Sequence, residues 1–293
     1  MNIKSLRNYI AYTVVISLLA SCGGNSKKEN DTSSKEFEQA KSELKENVKK
    51  VLYEIPSPAE IPFLLQATGA DFNGELINSI DNVAGYAAIT DKAILNLGIY
   101  ATDVGYLSSY EKAQESLKYM RSCRRLADNL GLSDSFSPEL IDKFEQSVED
   151  KESLAKLVND TIADAETLLK DDSRDNLAAL MITGSFVEGI YLGTQIVENY
   201  PDDLDEETKN LILSNLIRTL INQKEPLNDL IKMLKSTEQT DRVTSILVHL
   251  NNIKEAYSTV DLTGLIEKQE ALTATTIKAI TDAVAPLRND ITS

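Results

Sequence analysis

The chain has 293 residues, of which 46 are Asp or Glu, 30 are Lys or Arg, two are Cys, one is His and none is Trp. A formal charge of −16 argues against a nucleic-acid partner, because displacing counterions from a polyanion takes clustered Lys and Arg. A single His and two Cys exclude a zinc site of the usual ligands, while 42% hydrophobic and 26% charged residues are the balance of a globular protein.

The first predicted element, residues 1–21, is an export signal. Lys4 and Arg7 form a basic start, and an apolar run from Ile10 to Ala20 follows, too short to span a bilayer. It ends in Leu19-Ala20-Ser21-Cys22. This resembles the lipobox of bacterial lipoproteins, and the resemblance implies cleavage before Cys22 and acylation of that residue by palmitate-type chains. Gly23 rather than Asp follows the Cys, which in such lipoproteins favours the outer membrane over the inner one. Two or three acyl chains anchor durably where one does not, so the expected membrane partner is reached through Cys22 alone. Once Lys4 and Arg7 are removed with the signal, 28 basic residues face 46 acidic ones and the charge is −18, so anionic headgroups should repel the body. With Cys22 acylated, only Cys123 remains, leaving no intramolecular disulfide; Cys123 reads as a small buried hydrophobe. Residues 22–34 are polar and rich in Gly, Ser and Asn, the composition of a flexible tether.

From Lys35 to Ser293 apolar residues recur at three- and four-residue spacing, with no alternating runs. The expected fold is all-α, a compact bundle of about ten to twelve helices without a sheet, forming one domain over 35–293 with a split near 200 as the alternative. The spacing predicts helices over 35–54, 58–68, 75–87, 91–107, 109–130, 138–148, 151–170, 174–199, 204–223, 226–235, 240–257 and 264–285. Ser57-Pro58, Ser137-Pro138 and Ser108-x-x-Glu111 read as helix starts, Gly131 and Pro201 as stops, and Pro226 as a break.

Two of these helices are apolar nearly all round, over Ala93–Leu107 and Leu177–Gly193, and belong in the middle of a bundle. Gly98, Gly105, Gly184, Gly189 and Gly193 each weaken them by about 1 kcal/mol relative to Ala, for which close backbone approach is the compensation. Asp103 and Glu188 are the unusual residues: a carboxylate among apolar neighbours must be paired, protonated or facing a cavity. Asn96 stands seven residues before Asp103, and Gln195 seven after Glu188, so each acid shares a helix face with an amide. One reading is a polar pocket of Asn96, Tyr100, Asp103, Glu188, Tyr191 and Gln195 for a cation or small polar ligand. The other is a paired core. Arg121, Arg124 and Arg125, with Lys118, are the candidate partners for the acids, or a receptor for a ligand carboxylate or phosphate. Basic residues near a helix end also complement its dipole without any ligand.

The acidic tracts at 171–175 and 202–207 precede helices and lack the spacing of a calcium loop, so no metal site is expected there. His249 falls on the polar side of its helix. The chain has no nucleophile elbow, phosphate loop or His-Glu-x-x-His, no His-x-x-Glu of the imelysin type, and no Trp for a sugar platform. Residues 91–132 resemble helical envelope lipoproteins of the Bacteroidota with no assigned activity, which supports an envelope lipoprotein and adds no catalytic residue. The expectation is a non-enzymatic interaction or scaffold module without a cofactor, working with an envelope protein partner. The alternatives are a ligand- or cation-binding lipoprotein and, third, an enzyme using the two carboxylates.

Overall fold

A computed structural model describes residues 60–147, 174–201, 203–261 and 271–293, with residue 150, residues 264–265 and scattered helical positions between 153 and 164. The signal, the tether and the predicted helix 35–54 lie outside the described residues, as does most of 151–170. The described residues all fall within one compact unit, Leu44–Ser293.

Among them the fold is all-α, with no strand. In chain order, α1 is Glu60–Ala67, a 3-10 turn Ile80–Asn82 leads into α2 at Val83–Tyr86, α3 is Thr90–Ser109, α4 Ala113–Asn129 and α5 Pro138–Gln146. Then come α6 at Asp175–Glu198, α7 at Glu206–Ile221, α8 at Lys224–Lys235, α9 at Asp241–Ser258 and α10 at Ala274–Thr292. The two nearly all-apolar segments are α3 and α6. They form the most extensive helix pair, and α1, α7, α8 and α10 pack on α6 around them. By length and composition α6 matches a membrane span, yet 83% of that window is buried inside the bundle.

Their crossing explains Gly98 and Gly184. A Cβ on Gly98 would sit 2.1 Å from the Met181 carbonyl oxygen, and one on Gly184 2.0 Å from that of Leu95. Backbone therefore meets backbone, and Ser185 Oγ donates across the interface to the Gly98 carbonyl at 3.0 Å. Gly189 and Gly193 make room instead for the side chains of Ile61 and Leu220.

Local signals place several ends as expected. Ser137 Oγ accepts from the Leu140 amide at 3.3 Å, capping α5 with Pro138 at its first position. Gly131, at φ 67°, closes α4 as Leu132 N–H reaches the Ala127 carbonyl at 2.9 Å and Gly131 N–H that of Asp128 at 3.3 Å. The chain breaks between Ile221 and Lys224, leaving Pro226 in the first turn of α8.

Three expectations fail for physical reasons. Ser108-x-x-Glu111 starts no helix: α3 runs through Ser109, Ser108 Oγ donates back to the Val104 carbonyl at 2.7 Å, and Glu111 adopts φ 59°. The span 75–87 is not one helix, because 70–79 is irregular and only 80–86 coils. The last helix starts later than 264 and continues past 285, through Pro286 to Thr292. A proline there removes the amide that would bond the Asp282 carbonyl, but Pro286 and Asp282 are both exposed, on the solvent side, where the unpaired carbonyl costs little. Val284, Leu287 and Ile291 meanwhile stay in the core.

Candidate functional site

Asp103 on α3 and Glu188 on α6 are the expected pair of acids, and the fold brings them together with 0% exposure each. Glu188 is the charged group that raises the Asp103 pKa most. The cation that pairs with Glu188 comes from the far end of the chain. Arg288 on α10 grips Glu188 as a fork, Nε to Oε2 at 3.1 Å and Nη2 to Oε1 at 3.1 Å, and Nη2 also donates to the Leu76 carbonyl at 3.1 Å. Its guanidinium lies 4.7 Å from the centre of the Tyr191 ring, and its side chain is only 11% exposed. Planar, two-toothed and delocalised, a guanidinium suits this role better than an ammonium.

Asp103 is held differently. Its Oδ2 accepts the Asn78 backbone amide at 3.2 Å, while its Oδ1 is buried and has no donor. Burial, reinforced by the Glu188 charge, pushes the Asp103 carboxyl well above the usual carboxylate range, against the pull of Arg288 and the Asn78 amide.

Around this pair the irregular segment before α2 and the end of α10 are tied to α3 by amides. Asn78 Nδ2 donates to Asn96 Oδ1 at 3.0 Å, and Asn96 Nδ2 donates to the Ile291 carbonyl at 3.0 Å. The Tyr86 hydroxyl donates to the Thr292 carbonyl at 2.6 Å and Lys92 Nζ to that of Ser293 at 2.7 Å. Carbonyls at a helix C-terminus have no partner within the helix, so these donors cap α10 and fix Arg288 in register.

Of the residues singled out in the sequence, Asn96, Asp103, Glu188 and Tyr191 belong to this cluster. Tyr100 is buried beside it with its hydroxyl donating to the Ser79 carbonyl at 2.8 Å. Gln195 is not part of it: its amide turns to Glu198 at 3.2 Å. Arg121, Arg124 and Arg125 do not join it either. Arg121 bridges to Glu145 at 2.9 Å on the surface, with 62% of its side chain exposed, and Arg125 is exposed. The reason is the amphipathicity of α4, whose inner face is already filled by Leu117, Tyr119, Met120, Cys123 and Leu126. Cys123 is the buried thiol expected, and burial pushes its ionisation far up, so it is inert. His249, expected to be solvent-exposed on the polar side of its helix, is half-buried.

Arg288 and Asn78 were missed by sequence reasoning. The apolar spacing of Val284, Leu287 and Ile291 continues past Pro286 and was the signal for Arg288.

Elsewhere, Asp205 caps α7, accepting from the Thr208 amide at 3.0 Å, which holds its carboxyl below the usual range. An open cavity of about 440 Å³ lies beside Thr259, Asp261, Thr273 and Thr276, where Asp261 already accepts from the Gly264 amide. No group of three or more metal-ligating side chains occurs among the described residues.

No family model matches the chain, and searches of curated proteins and of solved structures found no match. The functional reading therefore rests on the residues.

Proposed function

We propose that this chain is a lipid-anchored cell-envelope protein, tethered by an acylated Cys22 at the outer membrane, whose helical body is a non-enzymatic interaction module. The observation that carries this reading is the closure of the Asp103 and Glu188 region. These two acids made the best case for chemistry or ligand capture, and both need solvent access to serve it. With 0% exposure and a fork from Arg288 on Glu188, they act on the fold. What remains available to a partner is the helical surface, which carries the excess of negative charge.

Two measurements test the two halves of the proposal. Metabolic labelling with a palmitate analogue should mark the wild-type chain and not Cys22→Ser; equal labelling overturns the anchor. Photo-crosslinkers placed in native envelopes at Ile89, Leu211 and Val248, which are 51%, 76% and 57% exposed, should give a discrete adduct with a partner protein from at least one position. Monomeric protein at every position overturns the interaction reading.

A further inference from the structure

The buried cluster has an unbalanced charge. Glu188 and Asp103 as carboxylates against a single Arg288 leave one uncompensated negative charge in a space with 0% exposure at both acids, where an unpaired charge is expensive. The contacts show which acid carries the imbalance. Both oxygens of Glu188 are held by the Arg288 fork, the geometry of a carboxylate. Asp103 receives one backbone amide on Oδ2, and its buried Oδ1 is an acceptor with no donor. A proton on Oδ1 turns that orphan acceptor into a donor and makes the triad neutral.

We propose that Asp103 is a carboxylic acid in the native protein, that it donates its proton to Glu188, and that this proton is a pH-sensitive lock on the C-terminal helix through Glu188 and Arg288. The other groups facing Asp103 do not supply the missing charge. Tyr100 and Tyr106 on its own helix and Tyr119 and Cys123 on α4 are all pushed up by burial and stay neutral. Asn78 on the segment before α2 offers an amide, and Arg288 on α10 is already spent on Glu188 and Leu76, with Tyr191 of α6 against its face.

The pH dependence follows from the sign of the Asp103 shift. In the unfolded chain an Asp ionises near about 3.9, and in the fold well above that. Stability conferred by the retained proton is complete below the unfolded value and is lost as pH rises toward the folded one. The folding equilibrium constant then falls by about tenfold per pH unit within that window.

The test uses the full chain and two isosteric variants. Asp103→Asn offers an amide N–H where the acid offers O–H, so it should match wild type at acid pH, exceed it in stability near pH 7 and lose the pH slope. Hydrogen exchange at the Leu287 to Ile291 amides should show wild-type protection falling relative to this variant as pH rises. Glu188→Gln should be strongly destabilised, because it leaves Arg288 without its carboxylate. The reverse asymmetry, or an identical pH slope in wild type and Asp103→Asn, overturns the proposal. If Asp103→Asn does not fold, infrared spectroscopy of the wild-type chain with labelled Asp decides. A carboxylic-acid C=O band at neutral pH that fades at alkaline pH supports the assignment. Absence of that band, or stabilisation by sodium or potassium in its place, overturns it in favour of an ionised Asp103 or a bound cation.

Discussion

Two of the places where helices α3 and α6 meet work by opposite means. At Gly98 and Gly184 backbone meets backbone, with the Ser185 hydroxyl bonding across, because a Cβ on either glycine would collide with the Met181 or Leu95 carbonyl. At Asp103 and Glu188 they meet through two acids, a contact that repels unless a third group intervenes. The first contact is complete within the pair. The second is completed by Arg288, which lies 100 residues from Glu188 and belongs to a different helix. A helix pair can thus be largely buried and still depend, at one of its contacts, on an element supplied by the far end of the sequence.

The largest effect should come from breaking the second contact. Arg288→Ala leaves Glu188 buried without its cation and should cost about 3 to 5 kcal/mol in urea unfolding, the range for stripping one partner from a buried ion pair. It should also weaken protection in α10, since the guanidinium is that helix's polar hold on α6. A loss below about 1 kcal/mol would mean that water reaches Glu188 and that the region is not sealed.

Breaking the first contact comes next. Gly184→Ala places a Cβ 2.0 Å from the Leu95 carbonyl oxygen, so the helices must part. Overpacking of this kind costs about 1 to 3 kcal/mol, which outweighs the gain of about 1 kcal/mol in helix propensity. Gly85, where an added Cβ would meet nothing within 4 Å, is the control: Ala there should be neutral or slightly stabilising, because the propensity gain stands alone. Thermal unfolding of the two variants side by side separates packing from propensity.

The legibility of the two contacts differs for the same reason. Gly98, Gly184 and the acids were readable because each is odd against its own helix, a local property that periodicity exposes. All-apolar flanks announced that α3 and α6 are central, and Ser137 and Gly131 announced the start of α5 and the end of α4. The partner of the acids was not readable, because nothing local to Glu188 points to residue 288. Pro286 made the final helix look finished two residues before Arg288, and only the exposure of that proline lets the helix continue. Asn78 was hidden similarly: apolar spacing drew a helix over 75–87, while Asn78 spends its amide on Asp103 and its side chain on Asn96. The signal segment and tether, readable as motifs, lie outside the described residues.

The smallest effect sharpens the comparison by testing the wrong arginine. Arg121 stands in the densest basic cluster of the chain and was the natural candidate for Asp103 or Glu188, yet it reaches Glu145 with side chains 62% and 43% exposed. Solvent screens such a pair, and holding two long side chains in place costs entropy, so surface bridges contribute about 0 to 1 kcal/mol. Arg121→Ala should therefore change stability by less than about 0.5 kcal/mol, and raised salt should shrink even that. Combined with Arg288→Ala the effects should add, because the two arginines share no partner. A coupling above about 0.5 kcal/mol in that double variant would place Arg121 in the same electrostatic unit as the buried acids, and α4 would then have to be drawn into the core cluster.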